Sequence, residues 1–288
     1  MLSLSDIVNV KVGIGRGVFE APGATVIGGK KPSFNLEILK LFANNEQGFF
    51  YDPNDLSTMY QDAAGTIPIT AVGQPVGMIK DKSGRNNHAS QTTSASRPIL
   101  QRNATTGAYY LAFDGADDFL QTNNIDFTAT DKVSLFAGVR KLSDATFGVI
   151  TEFSGSTDTN NGTFFLVAPR NNTLGNFGFR SKGTSNGDIT SPSSYISPHS
   201  AVLNVVGNIS QDSSILRING LQVGTGITDQ GTGNYGNYPL YIGRRGGSSL
   251  PFNGHIYGLI GIGKLTTDDE TAAIEKELAK RVGVTLNV

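Results

Sequence analysis

Residues 109–122 constrain the fold more than any other stretch, because two short apolar runs enclose the corner Asp-Gly-Ala-Asp-Asp at residues 114–118. Glycine adopts positive φ without steric cost, and aspartate side chains accept hydrogen bonds from turn amides. A helix would not continue through such a corner. The segment therefore predicts a strand, a tight turn and a second strand, and we expect the corner to be a fixed point of an antiparallel sheet.

The rest of the chain also favours strands over helices. Its 288 residues include 36 glycines, and only 16% are charged, a composition typical of many short strands joined by turns. Residues 133–140 alternate with period two, and Asn219-Gly220 lies between two apolar runs as a hairpin turn would. We predict an all-β fold in which two antiparallel sheets pack face to face.

Charge and cysteine content exclude several classes of partner. The chain has 23 basic and 24 acidic residues, a net charge of -1, so it has no electrostatic footprint for nucleic acid or an anionic membrane. The absence of cysteine excludes a disulfide framework and favours synthesis in a cytoplasm. The start of the sequence lacks the pattern of a signal peptide, and no apolar run is long enough to cross a bilayer. We expect no nucleic-acid partner and no membrane insertion.

Residues 1–47 form a predicted N-terminal arm, and residues 48–288 a predicted sandwich domain. The arm opens with strand-like alternation followed by glycines at positions 13, 15 and 17. An arm of this kind can add a strand to the sheet edge of another subunit. The residues predicted to dock it on a partner are Ile7, Val8, Val10, Val12 and Ile14.

Two helices are predicted outside the strands. Residues 33–45 have Ser33 as an N-cap and place Leu36, Leu39, Lys40 and Ala43 at helical spacing. The second helix follows a capping box at residues 267–270 and ends at Gly283; its apolar stripe consists of Ile274, Leu278 and Val282.

Several of these segments carry a family resemblance. The motif Phe-Asp-Gly-x-Asp-Asp-x-Leu at residues 113–120 is preceded by Asp-Lys-Ser-Gly at 81–84 and by Asp-Pro-Asn-Asp-Leu-Ser-Thr at 52–58. The three motifs occur in a fixed order, and a terminal helix followed by Gly-Val-x-Leu comes after them. In these features the chain resembles the concanavalin A-like lectin (laminin-G-like) domains of bacteriophage virion proteins. The resemblance covers the chain from about residue 48 to its end.

The resemblance implies a fold and a setting. It implies a two-sheet jelly-roll sandwich, part of a phage virion made in the host cytoplasm. The arm would contact other virion proteins, of capsid or tail, and we expect a homo-oligomer. Two functions remain open: adhesion to a host-surface glycan, or a purely structural decoration, fibre or tail-associated role with protein contacts alone.

A third function, glycoside hydrolysis, is disfavoured by the distribution of glutamate. Glycosidases need two carboxyl groups a few ångströms apart. Six of the seven glutamates lie in the arm or the terminal helix, and Glu152 is alone in the sandwich. We therefore expect a protein that is not an enzyme.

Two sets of side chains could bind a ligand. Tyrosine rings stack on sugars, while asparagine and arginine supply directional hydrogen bonds. The candidate glycan-binding residues are Tyr235, Asn237, Tyr238, Arg244 and Arg245. Asp114, Asp117 and Asp118 could bind Ca²⁺ through their carboxylates, or they could instead cap their turn. Apart from this Ca²⁺ ion, we expect no cofactor.

Overall fold

The computed structural model describes residues 34–156, 159–172 and 174–287. Residues Ser33–Val288 form one compact unit. The two α-helices of the described residues are α1 (Phe34–Lys40) and α2 (Asp268–Val282). In chain order the strands are β1 (Gly48–Tyr51), β2 (Met59–Tyr60), β3 (Met78–Ile79), β4 (Ala89–Ser90), β5 (Ile99–Arg102), β6 (Tyr109–Asp114), β7 (Leu120–Asp126), β8 (Lys132–Lys141), β9 (Val149–Phe153), β10 (Thr163–Val167), β11 (Gly178–Lys182), β12 (Asn186–Thr190), β13 (His199–Asn208), β14 (Ser213–Ile218), β15 (Leu221–Gly226), β16 (Asn237–Ile242) and β17 (Asn253–Ile262).

The strands form two antiparallel sheets, which confirms the predicted sandwich. One sheet has eight strands in the order β15-β14-β13-β8-β17-β6-β5, with β1 also paired to β17. The other has nine strands in the order β12-β11-β10-β9-β16-β7-β4-β3-β2. Side chains from the inner faces of both sheets, such as Phe113, Phe153 and Leu203, form one large buried core. Burying apolar side chains of this size contributes about 1.5–3 kcal/mol each.

The predicted corner joins the two sheets rather than two neighbours in one sheet. β6 pairs with β17 in the eight-stranded sheet, and β7 pairs with β16 in the nine-stranded sheet. Gly115 has φ +77°, as predicted, and the Asp114 carboxylate accepts a hydrogen bond from the Ala116 amide at 2.8 Å. The corner is therefore a crossover that sets the position of one sheet on the other.

The predicted hairpin at Asn219-Gly220 is confirmed. Both residues have positive φ, 50° and 84°, as a type I′ turn requires. They connect β14 to β15, which pair as antiparallel neighbours at one edge of the eight-stranded sheet.

Helix α2 packs on the outer face of the eight-stranded sheet. The predicted capping box is present: the Thr267 hydroxyl accepts from the Glu270 amide at 3.2 Å, and the Glu270 carboxylate accepts from the Thr267 amide at 2.8 Å. Gly283 ends the helix in the left-handed conformation, as predicted. The helix approaches the sheet so closely that a Cβ on Gly138 would lie 2.9 Å from Val282. This outer face is therefore covered by protein.

Helix α1 lies in the same apolar layer and is shorter than the helix predicted over residues 33–45. Ile38, Leu41 and Phe42 are buried with residues of α2, whereas Leu36 and Leu39 are 54% and 41% exposed. The domain boundary between the arm and the sandwich, placed after residue 47, stays a prediction. Helix α1 lies in the compact unit Ser33–Val288, which also contains the sandwich. The docking residues Ile7 to Ile14 lie outside the described residues. Across the described ranges, no helix has the length and apolar character needed to span a membrane.

We predict that Gly115→Val lowers the stability of the sandwich by at least about 3 kcal/mol, because positive φ and a steric clash act together. A Cβ at position 115 would lie 2.6 Å from the Cβ of Asn253. Gly73→Val is the matched control, since Gly73 also has positive φ but has no atom within 4 Å of its Cβ position. Thermal unfolding should show a larger loss for Gly115→Val; equal losses would mean that the corner tolerates a side chain.

Candidate functional site

The outer face of the nine-stranded sheet carries a continuous line of side chains. Cross-strand register aligns one residue from each of six neighbouring strands. This outer row consists of Asp188, Arg180, Phe165, Glu152, Tyr241 and Gln121. Alternation along the strands places it opposite the core, because Leu240 and Ile242 on either side of Tyr241 are core residues.

Tyr241 stands near the centre of the outer row. It pairs with Glu152 on one side and with Gln121 on the other. Burial and the nearby Glu152 carboxylate raise the pKa of Tyr241, so its hydroxyl stays protonated at neutral pH. A half-buried tyrosine presents an apolar ring and a polar tip, which suits contact with a sugar.

On one side of Tyr241 lies an open depression of about 260 Å³, here called the Glu152 cleft. Glu152 is 1% exposed, and its carboxylate accepts a hydrogen bond from the Ser154 hydroxyl at 2.5 Å and from Arg245 Nε at 3.3 Å. Hydroxyl groups dominate the remaining wall. The described lining residues are Glu152, Ser154, Gly155, Ser156, Arg245, Gly246, Ser248 and Ser249.

On the other side of Tyr241 lies a second depression of about 300 Å³, here called the Gln121 cleft. Its wall is rich in amides and hydroxyls, with one aromatic ring. The described lining residues are Ser90, Gln91, Thr92, Thr93, Phe119, Gln121, Thr122 and Asn123. The Phe119 ring also contacts the loop that carries Arg245, since a Cβ on Gly247 would lie 2.8 Å from that ring. The two clefts therefore share a border.

An arginine cluster borders the Glu152 cleft through Arg245. Phe165 is fully buried although it points away from the main core, because Arg170, Arg180 and Arg245 lie over its ring. Their guanidinium carbons are 5.5, 4.9 and 5.2 Å from the ring centroid. The ring faces favour these cations, which in turn shield the ring from water.

Two carboxylates neutralise part of the arginine cluster. Asp188 accepts two hydrogen bonds from Arg180, each at 2.7 Å, and pairs with Arg170 at 3.2 Å. Burial lowers the pKa of Arg170. The positive charges of Arg180 and Arg245 lower this pKa further, whereas the negative charge of Asp188 raises it. The cluster is therefore positive and partly shielded from solvent.

The structure separates the residues predicted to bind a glycan. Tyr235 is 1% exposed, and its hydroxyl lies 2.6 Å from that of Ser181 in the core. Its ring is not accessible, so we remove it from the candidate site. Asn237 is the first residue of β16, whereas Arg244 and Arg245 come after the last residue of that strand. The strand therefore separates Asn237 from the two arginines by about 20 Å.

Two of the other predicted residues, Tyr238 and Arg244, form local side-chain hydrogen bonds. The Tyr238 hydroxyl donates to the Asn161 carbonyl at 3.1 Å, while Asn237 is exposed. Arg244 donates to the Ser248 carbonyl at 3.0 Å and so fixes its own loop. Of the five predicted residues, Arg245 alone lines the Glu152 cleft.

Asp114, Asp117 and Asp118 each accept a hydrogen bond at the corner. Asp118 accepts from the Asp114 amide at 3.0 Å, Asp117 accepts from the Ser96 hydroxyl at 2.6 Å, and Asp114 caps the turn. One oxygen of each carboxylate is thus engaged by the corner or by Ser96, as the turn-capping alternative predicts. Within the described ranges, no three acidic or histidine side chains are grouped so as to hold a metal ion.

Sequence comparison agrees with the class of fold. Two antiparallel sheets packed face to face make the described chain a β-sandwich. Residues 114–259, just over half of the chain, match the model of the laminin-G-type domain described as the concanavalin A-like lectin/glucanases superfamily. The chain belongs to this superfamily. Comparison with curated proteins found no match.

Solved structures share the fold at low sequence identity. A GH54 α-L-arabinofuranosidase soaked with a cyclic sulfate inhibitor is 14% identical, with TM-score 0.55 over 85% of this chain and 65% of that chain. A structure of botulinum neurotoxin type C, whose cell entry depends on interaction with two ganglioside molecules, is 14% identical, with TM-score 0.53 over 82% and 52%. This chain thus spans about half of the toxin structure. A sialidase CBM40 from Ruminococcus gnavus bound to α2,3 sialyllactose is 15% identical, with TM-score 0.41 over 55% and 97%.

Asp118 provides a pH-dependent test of the corner. Burial raises its pKa to about 6, and the charges of Asp114 and Asp117 act in the same direction. The native state therefore holds a proton between about pH 4 and pH 6 that the unfolded chain releases, so stability falls as pH rises through this range. We predict that Asp118→Asn gains roughly 2–3 kcal/mol relative to the parent between pH 4 and pH 7.

Asp126→Asn is the control for that change. Hydrogen bonds from the side chain and amide of Thr128 lower the pKa of Asp126, so the same substitution there should show no such gain. Thermal unfolding at several pH values measures both variants. An Asp118→Asn variant that follows the parent at every pH would contradict the raised pKa.

Proposed function

We propose that the protein is a non-enzymatic adhesion component of a bacteriophage virion that binds a host-surface glycan on the outer face of the nine-stranded sheet. The observation that supports glycan binding most directly is the position of Tyr241 between two open polar clefts. A tyrosine ring between two hydrogen-bonding surfaces matches a sugar ring, which has apolar C–H faces and a polar edge. The clefts lie on either side of it, so the surface has room for several sugar units.

The position of the acidic residues supports binding without hydrolysis. In the described part of the outer row, the two carboxylates are Glu152 on β9 and Asp188 on β12. These strands are three positions apart in the sheet, about 14 Å at the usual strand spacing. Glycosidase carboxyl groups are about 5–9.5 Å apart. Each of the two also forms an ion pair with arginine.

The phage setting rests on the ordered motifs of residues 52–58, 81–84 and 113–120, which resemble those of virion lectin-like domains. In this setting residues 1–32 would attach the domain to a capsid or tail protein. The sandwich would then be displayed outward, and repeated copies on the particle would raise the avidity of weak glycan contacts. A structural decoration with protein contacts alone is the alternative, and it predicts no glycan binding.

Tyr241→Ala should weaken binding to a glycan ligand by at least about tenfold, because it removes the central aromatic contact of the site. The ligand is first selected by screening the wild-type protein on an array of bacterial surface glycans. Affinity is then measured by calorimetry for folded protein. Tyr110→Ala is the control, since Tyr110 lies on the helix-covered side of the other sheet. Unchanged affinity of Tyr241→Ala, or no binding to any glycan, would contradict the proposed site.

Deletion of residues 1–32 should leave a domain that unfolds cooperatively but no longer enters virions during infection. Residues Ser33–Val288 form a compact unit, which is why we expect this shortened chain to fold. A longer deletion, of residues 1–47, should lower stability by about 5 kcal/mol or more because it also removes the buried Ile38, Leu41 and Phe42. Calorimetry measures the stability of both shortened chains, and quantification of the protein in purified particles measures its incorporation. Normal incorporation of the shorter deletion would contradict a docking role.

A further inference from the structure

We infer that the Glu152 cleft takes an acidic glycan, one that carries carboxylate groups, and that the terminal guanidinium nitrogens of Arg245 bind such a carboxylate. The inference deepens the proposed glycan-binding function and rests on it. It concerns the charge of the ligand and the residue that recognises that charge.

The first observation is the charge of the arginine cluster. Arg170, Arg180 and Arg245 carry three positive charges, and their ion-pair partners Asp188 and Glu152 carry two negative charges. Among these five described side chains, one positive charge remains, and the three arginines lie over the buried ring of Phe165. A cation in a site that is partly shielded from water attracts an anion more strongly than an exposed surface charge does.

The second observation identifies Arg245 as the arginine able to bind the ligand. Arg180 is engaged by both oxygens of Asp188, and Arg170 is half-buried beside the same carboxylate. Arg245 uses Nε for Glu152, and its two terminal nitrogens have no hydrogen-bond partner in the described part of the chain. Its side chain is 23% exposed and lines the open cleft. Two adjacent N–H groups on a planar guanidinium match the two oxygens of a carboxylate.

The third observation is that the Arg245 side chain is held in place before any ligand binds. Its guanidinium carbon lies 5.2 Å from the ring centroid of Phe165 and 5.6 Å from that of Phe147. The Arg245 amide donates to the Ser249 carbonyl at 2.8 Å, which closes the loop that carries it. Because these contacts fix the plane of the guanidinium, little side-chain entropy is lost when a carboxylate binds.

The surrounding groups fit the rest of a sugar acid. Ser156, Ser248 and Ser249 are exposed and lie around the same cleft as Arg245. Their hydroxyls can each donate and accept hydrogen bonds, as sugar hydroxyls require. Tyr241, next to Glu152 in the outer row, supplies the apolar contact. Carboxylate, hydroxyl and C–H contacts would thus all be made within one region of the sheet.

The test uses acidic bacterial polysaccharides that contain hexuronic or nonulosonic acids, each paired with its carboxyl-reduced form. The full chain should bind one or more acidic members and lose most of its affinity when the carboxylates are reduced to alcohols. Arg245→Gln should weaken binding of that acidic member by roughly tenfold to a hundredfold, the value of a charge-assisted hydrogen-bonded pair. Lys280→Gln, which removes the same charge from an exposed position on α2, should leave the affinity unchanged.

The outcomes separate this inference from the proposed function. Equal binding of the acidic and reduced forms, or binding of neutral glycans alone, would overturn the acidic ligand while supporting glycan binding. Absence of binding across the acidic and neutral panel would overturn both. Arg245→Lys keeps the charge but removes the two-pronged geometry, so it should lose affinity while remaining folded by thermal unfolding. Full affinity in Arg245→Lys and in Arg245→Gln would exclude Arg245 as the contact.

Discussion

The packing of helix α2 against the eight-stranded sheet decides which surface of the sandwich is available for a ligand. Ile274, Leu278 and Val282 bury one side of the helix on that sheet, and glycines such as Gly138 permit the close approach. One outer face is thereby removed from solvent. The outer face of the nine-stranded sheet is the broad surface left uncovered by the described helices, and it is there that polar and aromatic side chains align.

The arginine cluster shields an apolar patch on the outer face of the nine-stranded sheet. Val149, Phe165 and Val167 form a small buried group outside the main core. Guanidinium groups cover it and are themselves held by Asp188 and Glu152. Because each arginine has both an apolar and a charged contact, removal of one would expose an aromatic ring and leave a carboxylate with fewer partners. The cluster is thus both a structural cover and a source of positive potential.

Local sequence signals predicted the local structure well. The period-two runs, Asn219-Gly220, the Asp-Gly corner and the Thr267 capping box each depend on residues within about four positions of one another, and the structure confirms them. The spacing of Leu36 and Leu39 indicated the helix α1 but not its buried residues, since these two leucines are exposed while Ile38, Leu41 and Phe42 are buried. Which face of a short helix is buried depends on α2, more than two hundred residues away in sequence, and helical spacing alone carries no information about it.

The candidate site was largely invisible in the sequence for the same reason. Glu152, Tyr241 and Gln121 come together only through the register of β9, β16 and β7, which are distant in the chain. The clustering of tyrosine and asparagine at residues 233–238 was a local signal, and it led to Tyr235, which belongs to the core. Arg245 was among the predicted residues because arginine supplies directional hydrogen bonds and Arg244-Arg245 follows the tyrosine- and asparagine-rich stretch. Its contacts with Phe147 and Glu152 could not be read from that position.

The central claim is that a glycan binds across the outer row of the nine-stranded sheet. Backbone hydrogen exchange, measured with and without a bound glycan, tests it most directly because it reports the location of binding without any substitution. The account predicts slower exchange in the three segments that border the clefts, residues 91–93, 154–156 and 244–249. Protection confined to residues 231–236 or to helix α2, with these segments unchanged, would contradict it.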